Sequence, residues 1–132
     1  MYKLNSSRLL ILVPVLLVLH WPLHAQAADT DPSQRLLQML DYVGVDYPPT
    51  VEQGEVVDPV EYAEMEEFSG EIINLLRAMP DHENKRILLA DAAQIRNGID
   101  QRINGEEIRR LTQALKEALI SDYKVVVGPK KA

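Results

Sequence analysis

The chain has 132 residues, no cysteine, 20 Asp and Glu against 14 Lys and Arg, and a formal net charge of −6. That acidity argues against phosphate backbones and anionic membrane surfaces as partners. The missing cysteine excludes c-type haem attachment, thiol catalysis and zinc-thiolate sites.

The first 27 residues read as a secretory signal peptide. Lys3 and Arg8 charge the start, Leu9 to Leu19 is apolar with Pro14 as its one interruption, and Ala25-Gln26-Ala27 supplies a small-x-small exit. The apolar run is 11 residues, where a membrane-spanning helix needs about 20. A retained signal anchor is the alternative. No cysteine follows the run, so a lipoprotein anchor is excluded. Cleavage after Ala27 leaves residues 28–132, with 20 acids against 12 Lys and Arg, in a periplasmic or otherwise secreted location. A chain of that size forms one small domain that buries roughly 65% of its unfolded surface.

Four amphipathic helices fit what remains. The first opens at Asp31-Pro32, a capping side chain before a proline at the first helical position. Its apolar stripe is Leu36, Leu37, Leu40, Val43 and Tyr47, and Pro48-Pro49 stops it. Thr50 to Val57 is a polar connection with Gly54 as a turn. The second helix repeats the Asp-Pro start at Asp58-Pro59 and carries Tyr62, Met65, Phe68, Ile72, Leu75 or Leu76, and Met79, before Pro80 breaks it. Asp81 is the expected cap of the third helix, with the stripe Leu88, Ala92, Ile95 and Ile99. After the turn signal Asn104-Gly105, the fourth helix carries Ile108, Leu111, Leu115 and Leu119.

The Lys124 to Val127 run is too short to build a sheet alone. Short connections imply antiparallel neighbours, so the expectation is an all-α, up-down four-helix bundle preceded by a signal peptide. The bundle would span residues 28–123, with residues 124–132 as a linker-like tail.

Catalytic chemistry finds little support. After cleavage His82 is the only histidine, and no serine occupies a Gly-x-Ser-x-Gly turn. Phosphate-binding glycine loops are absent from the sequence. Met39, Met65 and Met79 lie on apolar stripes and read as core fillers, not haem ligands. The chain is therefore read as a non-enzyme.

Carboxylates are the remaining signal. Glu61, Glu64, Glu67 and Glu71 recur three and four residues apart on the second helix, with Glu66 beside them. No Lys or Arg occurs between Arg35 and Arg77, so intrahelical pairing cannot neutralise the row. One reading is a solvated acidic face compensated across helices by Arg96, Arg102, Arg109 or Arg110. The sharper reading is a site for a hard cation such as calcium, magnesium, manganese or ferric iron. Its candidate ligands are Glu61, Glu64, Glu67, Asp41 and Asp46, with Tyr42 and Tyr47 close by. Tyr42, Tyr47 and Tyr62 are alternatively packing residues whose hydroxyls bond Asp41 or Asp46.

The stretch "LLQMLDYVGVDYP", followed by a short acidic loop and "EYAEMEEF", resembles the extracytoplasmic N-terminal region of bacterial cytochrome c/iron permease fusion proteins, of the high-affinity iron and lead permease family. In that family a signal peptide precedes a helical domain with similar Leu-Leu-x-x-Leu-Asp-Tyr, Val-Asp-Tyr-Pro and Glu-Tyr-x-Glu-Met patterns. The matching positions here are Asp41, Tyr42, Asp46, Tyr47, Pro48, Glu61, Tyr62 and Glu64.

The sequence departs from the family in having no Cys-x-x-Cys-His and no permease helices with an Arg-Glu-x-x-Glu motif. The resemblance therefore implies the accessory domain alone, as a separate subunit or a truncated member. Its implied partner is an iron permease or c-type cytochrome subunit, and its implied cargo is ferric iron.

Overall fold

The computed structural model describes residues 31–128. The signal-peptide segment and the end of the tail lie outside the described residues. Four helices dominate: α1 (Pro32–Asp46), α2 (Pro59–Ala78), α3 (Lys85–Asp100) and α4 (Gly105–Tyr123). Among the described residues, no helix is long and apolar enough to cross a membrane.

The helix starts follow from capping chemistry. The Asp31 carboxylate accepts the Ser33 N–H at 3.0 Å, and the Asp58 carboxylate accepts the Glu61 N–H at 3.1 Å. In both helices proline follows the cap, where its missing N–H would have had no partner in any case. The third start differs from expectation. Asn84, not Asp81, occupies the cap of α3. The Asn84 backbone N–H donates to His82 Nδ1 at 3.1 Å, and its side chain donates to Asp122 at the end of α4. Asp81 sits in solvent one turn earlier, 3.5 Å from Lys85. At α4, Asn104 is the cap, accepting the Glu106 N–H at 2.8 Å.

The connection between α1 and α2 is more structured than its polarity suggested. Pro48–Thr50 forms a 3₁₀ turn, and then β1 (Val51–Glu52) pairs antiparallel with β2 (Glu55–Val56). Gln53 and Gly54 both have positive φ, +50° and +81°, as a two-residue type I′ hairpin turn requires. Thr50 closes the base: its hydroxyl donates to the Tyr47 carbonyl at 2.8 Å, and its own carbonyl accepts the Val57 N–H. Val51 is thereby buried against the helices.

Each helix packs on its sequence neighbour, and α1 also packs on α4, closing a ring of four. Cross-helix partners run in opposite directions along each pair. Arg35 meets Glu71 while Tyr47 meets Tyr62, so α1 and α2 are antiparallel. Lys116 meets Asp41 while Arg109 meets Gly44, which gives α4 the same relation to α1. The core is the union of the four stripes, from Leu36 and Leu40 through Met65 and Ile72 to Ile95, Ile99, Ile108 and Leu119.

Two stripe positions were misplaced, and a third, left open between Leu75 and Leu76, is decided. Phe68 is only partly buried and Ser69 takes the core-facing place, its hydroxyl turned back on the Glu66 carbonyl. Leu76 rather than Leu75 is fully buried. On α4, Thr112 is buried where Leu111 was expected. The reason for the last is close approach: a Cβ on Gly44 would lie 2.6 Å from Thr112 Oγ1. A threonine opposite a glycine fits there and a leucine does not.

Candidate functional site

The antiparallel register of α1 and α2 turns the acidic row of α2 toward their common seam. Glu71 reaches across it to Arg35 at 3.4 Å, and Phe68 meets Tyr42 edge-on with ring centroids 5.3 Å apart. At the hairpin end of the seam, Glu61, Glu64, Asp58 and Asp46 crowd together. The neighbouring carboxylates, Glu64 foremost and then partial burial, Asp58 and Asp46, raise the Glu61 carboxyl above its ordinary pKa. A carboxylate surrounded by like charge holds its proton more tightly because ionisation adds to the repulsion.

The other candidates separate from this corner. Asp41 is held on the α4 side, where Lys116 Nζ contacts its two oxygens at 2.5 and 2.7 Å. Glu67 lines a different surface hollow with Arg35, Met39 and Phe68. Among the described residues, no three His, Asp or Glu side chains converge closely enough to grip one ion. The acids form a row along a seam rather than a cage.

Two of the three tyrosines are committed elsewhere. The Tyr47 hydroxyl donates to the Ile103 carbonyl at 2.7 Å and the Tyr62 hydroxyl to the Ile99 carbonyl at 2.7 Å. Both rings are buried, 6.4 Å apart, and burial followed by the neighbouring Tyr62 pushes the Tyr47 phenol up to about 12. The expected bonds to Asp41 or Asp46 are replaced by bonds to backbone carbonyls at the end of α3. A phenol that must stay protonated to donate there is a poor phenolate ligand. Tyr42 alone is half-exposed. Pro48 is structural: a Cβ on Gly105 would lie 2.5 Å from Pro48 Cα, so the 3₁₀ turn sits directly on the start of α4.

The expected cross-helix compensation by arginines takes another form. Arg96 pairs with Asp100 at 3.2 Å and donates to the Glu66 carbonyl, Arg109 pairs with Glu106 and Arg110 with Glu107, each at 2.5 Å. None of these, nor Arg102, is in an ion pair with the α2 row among the described residues. The base that does reach the row is Arg35. Antiparallel register could have identified it, since Arg35 and Glu71 lie within one residue of the same distance from the connection.

The consequence is a strong segregation of charge. Residues 36–76 hold ten Asp and Glu and no Lys or Arg, whereas residues 79–128 hold eight of each. All but two of those ten acids, Asp41 and Glu71, stand outside the ion pairs of the described residues.

Comparisons with protein-family models, with curated proteins and with solved structures give no match.

Proposed function

We propose that this chain is a non-catalytic accessory domain of a high-affinity iron uptake system: an up-down four-helix bundle, exported behind a signal peptide to the periplasm. It works there by contact with an iron permease or c-type cytochrome subunit. The resemblance of residues 36–68 to the iron permease fusion family supports this reading. The observation that carries it is the seam of uncompensated carboxylates at Asp46, Asp58, Glu61 and Glu64, whose mutual repulsion a cation relieves.

An ion held along such a row keeps part of its water shell and is gripped less tightly than in a cage, because the carboxylates do not close around it. That suits passing ferric iron, or another hard cation, to a neighbour better than storing it. Asp41 and Glu67 are left out of this role by their positions. Tyr47 and Tyr62 are left out by their hydrogen bonds.

Calorimetric titration of the purified protein with ferric iron, ferrous iron, calcium and manganese tests the reading. Saturable ferric binding that weakens at least about tenfold in the Glu61→Ala, Glu64→Ala double variant, with helix content unchanged, is the expected result. Equal affinity in the double variant removes these acids from the role. Absence of binding leaves a bundle whose acids serve solubility and pairing with a partner.

A further inference from the structure

At the end of the molecule where α1 runs into α2, large apolar side chains remain exposed among the acids. Tyr42 and Val45 on the last turns of α1 are 48% and 65% exposed, and Val57 and Val60 at the start of α2 are 50% and 71% exposed. Tyr42 and Val45 line a shallow hollow of about 490 Å³ with Gln38, Asp41 and Asp46. Edge-on packing against Phe68 fixes the Tyr42 ring at the rim of the seam. Asp46 lines the same hollow, and Glu61 stands close enough to Glu64, Asp58 and Asp46 to feel their charge. The bases that approach come from α4, where Lys116 pairs with Asp41 and Arg109 lines the neighbouring hollow with Val45.

An apolar centre with a polar rim is the ordinary anatomy of a protein interface. Asp46, Glu61 and Glu64 are in no ion pair among the described residues, and that unpaired acidic edge selects the partner. We propose that this corner, centred on Tyr42 and Val45 and rimmed by Asp46, Glu61 and Glu64, is a docking surface for a protein presenting an aliphatic patch ringed by lysines and arginines. A second copy of this chain would bring the same acids face to face. Nucleic acid and anionic lipid carry the wrong charge. The opposite half of the bundle, with equal numbers of acids and bases, has no such preference. The proposal needs no bound cation and does not rest on the iron-system reading, so either can fail alone.

The test is an NMR titration of the ¹⁵N-labelled protein with a synthetic amphipathic helix bearing a valine-leucine stripe flanked by lysines. Saturable shifts confined to Gln38–Asp46 and Val57–Glu64 are expected. Raising the salt from about 0.05 M to about 0.5 M should weaken binding about tenfold. Val45→Ser, and separately Tyr42→Ser, should each weaken it about fivefold. The Asp46→Asn, Glu61→Gln, Glu64→Gln variant should weaken it more than the charge-matched Glu83→Gln, Asp91→Asn, Glu117→Gln variant. Equal binding of a peptide with the same lysines but a scrambled apolar stripe overturns the proposal, as do shifts on α3 and α4 or no saturation.

Discussion

The two buried tyrosines make unequal contributions, and the inequality can be worked from their acceptors. The Ile99 carbonyl, which takes the Tyr62 hydroxyl, also accepts the Arg102 N–H at 2.9 Å. The Ile103 carbonyl lies in the α3–α4 connection and takes the Tyr47 hydroxyl as its protein donor. Replacing Tyr62 by phenylalanine therefore loses one hydrogen bond and orphans nothing, a cost of about 1 kcal/mol. Replacing Tyr47 by phenylalanine loses the bond and strands a partly buried acceptor, a cost of about 2 kcal/mol. In urea, with an m-value of about 1–1.5 kcal/mol/M for a domain of this size, the midpoint falls about 1.5 M for Y47F and about half as far for Y62F.

The same phenol adds a pH signature. Its folded pKa of about 12 lies above an unfolded value of about 10, so the folded state keeps its proton longer. The associated stability is whole below about pH 10 and is lost as the pH rises toward 12. Parallel urea unfolding of wild type, Y47F and Y62F at pH 7 and at about pH 11 measures both effects. The reasoning is refuted if Y62F costs as much as Y47F at pH 7, or if Y47F loses as much stability as wild type between the two pH values.

Two further outcomes follow from close approaches and from the acidic corner. Gly105→Ala would place a methyl 2.5 Å from Pro48 Cα, where backbone must move, and should cost about 2–3 kcal/mol in thermal or urea unfolding. Gly44→Ala meets only Thr112, its hydroxyl oxygen at 2.6 Å and its Cβ at 3.6 Å, so Thr112→Ala should recover at least about 1 kcal/mol of its loss in a double-mutant cycle. The Glu61 carboxyl, raised chiefly by Glu64, should titrate at lower pH in Glu64→Gln, followed by its ¹³C carboxyl resonance. Because its folded pKa is raised, the stability linked to it is full at acid pH and declines as the pH rises through its titration. An unmoved Glu61 midpoint in Glu64→Gln would show that the two charges do not interact.

Much of the architecture was written locally. Asp31-Pro32, Asp58-Pro59 and Asn104-Gly105 are complete helix-start signals, because a capping carboxylate or amide and the next residue meet within one turn. Stripes three and four residues apart named nearly all of the core, since burial on one face of a helix is a property of spacing alone. The row Glu61, Glu64, Glu67 and Glu71 was legible for the same reason.

What the tertiary structure decided involves residues far apart in the chain. Asn84 rather than Asp81 stands at the cap position of α3, and its side chain makes no capping bond but donates to Asp122, 38 positions on. Thr112 displaced Leu111 because α1 presents Gly44 at that level. The hairpin at Val51–Val56 escaped a periodicity reading because two residues per strand carry no period, and a positive φ at Gln53 is unusual for a side-chain-bearing residue. The site changed most. Tyr47 and Tyr62 turned out to donate to carbonyls of the α3 end, and Asp41 was claimed by Lys116, 75 positions away. Spacing assigns a residue to a face of its own helix, but the partner it meets there depends on how the helices are packed together.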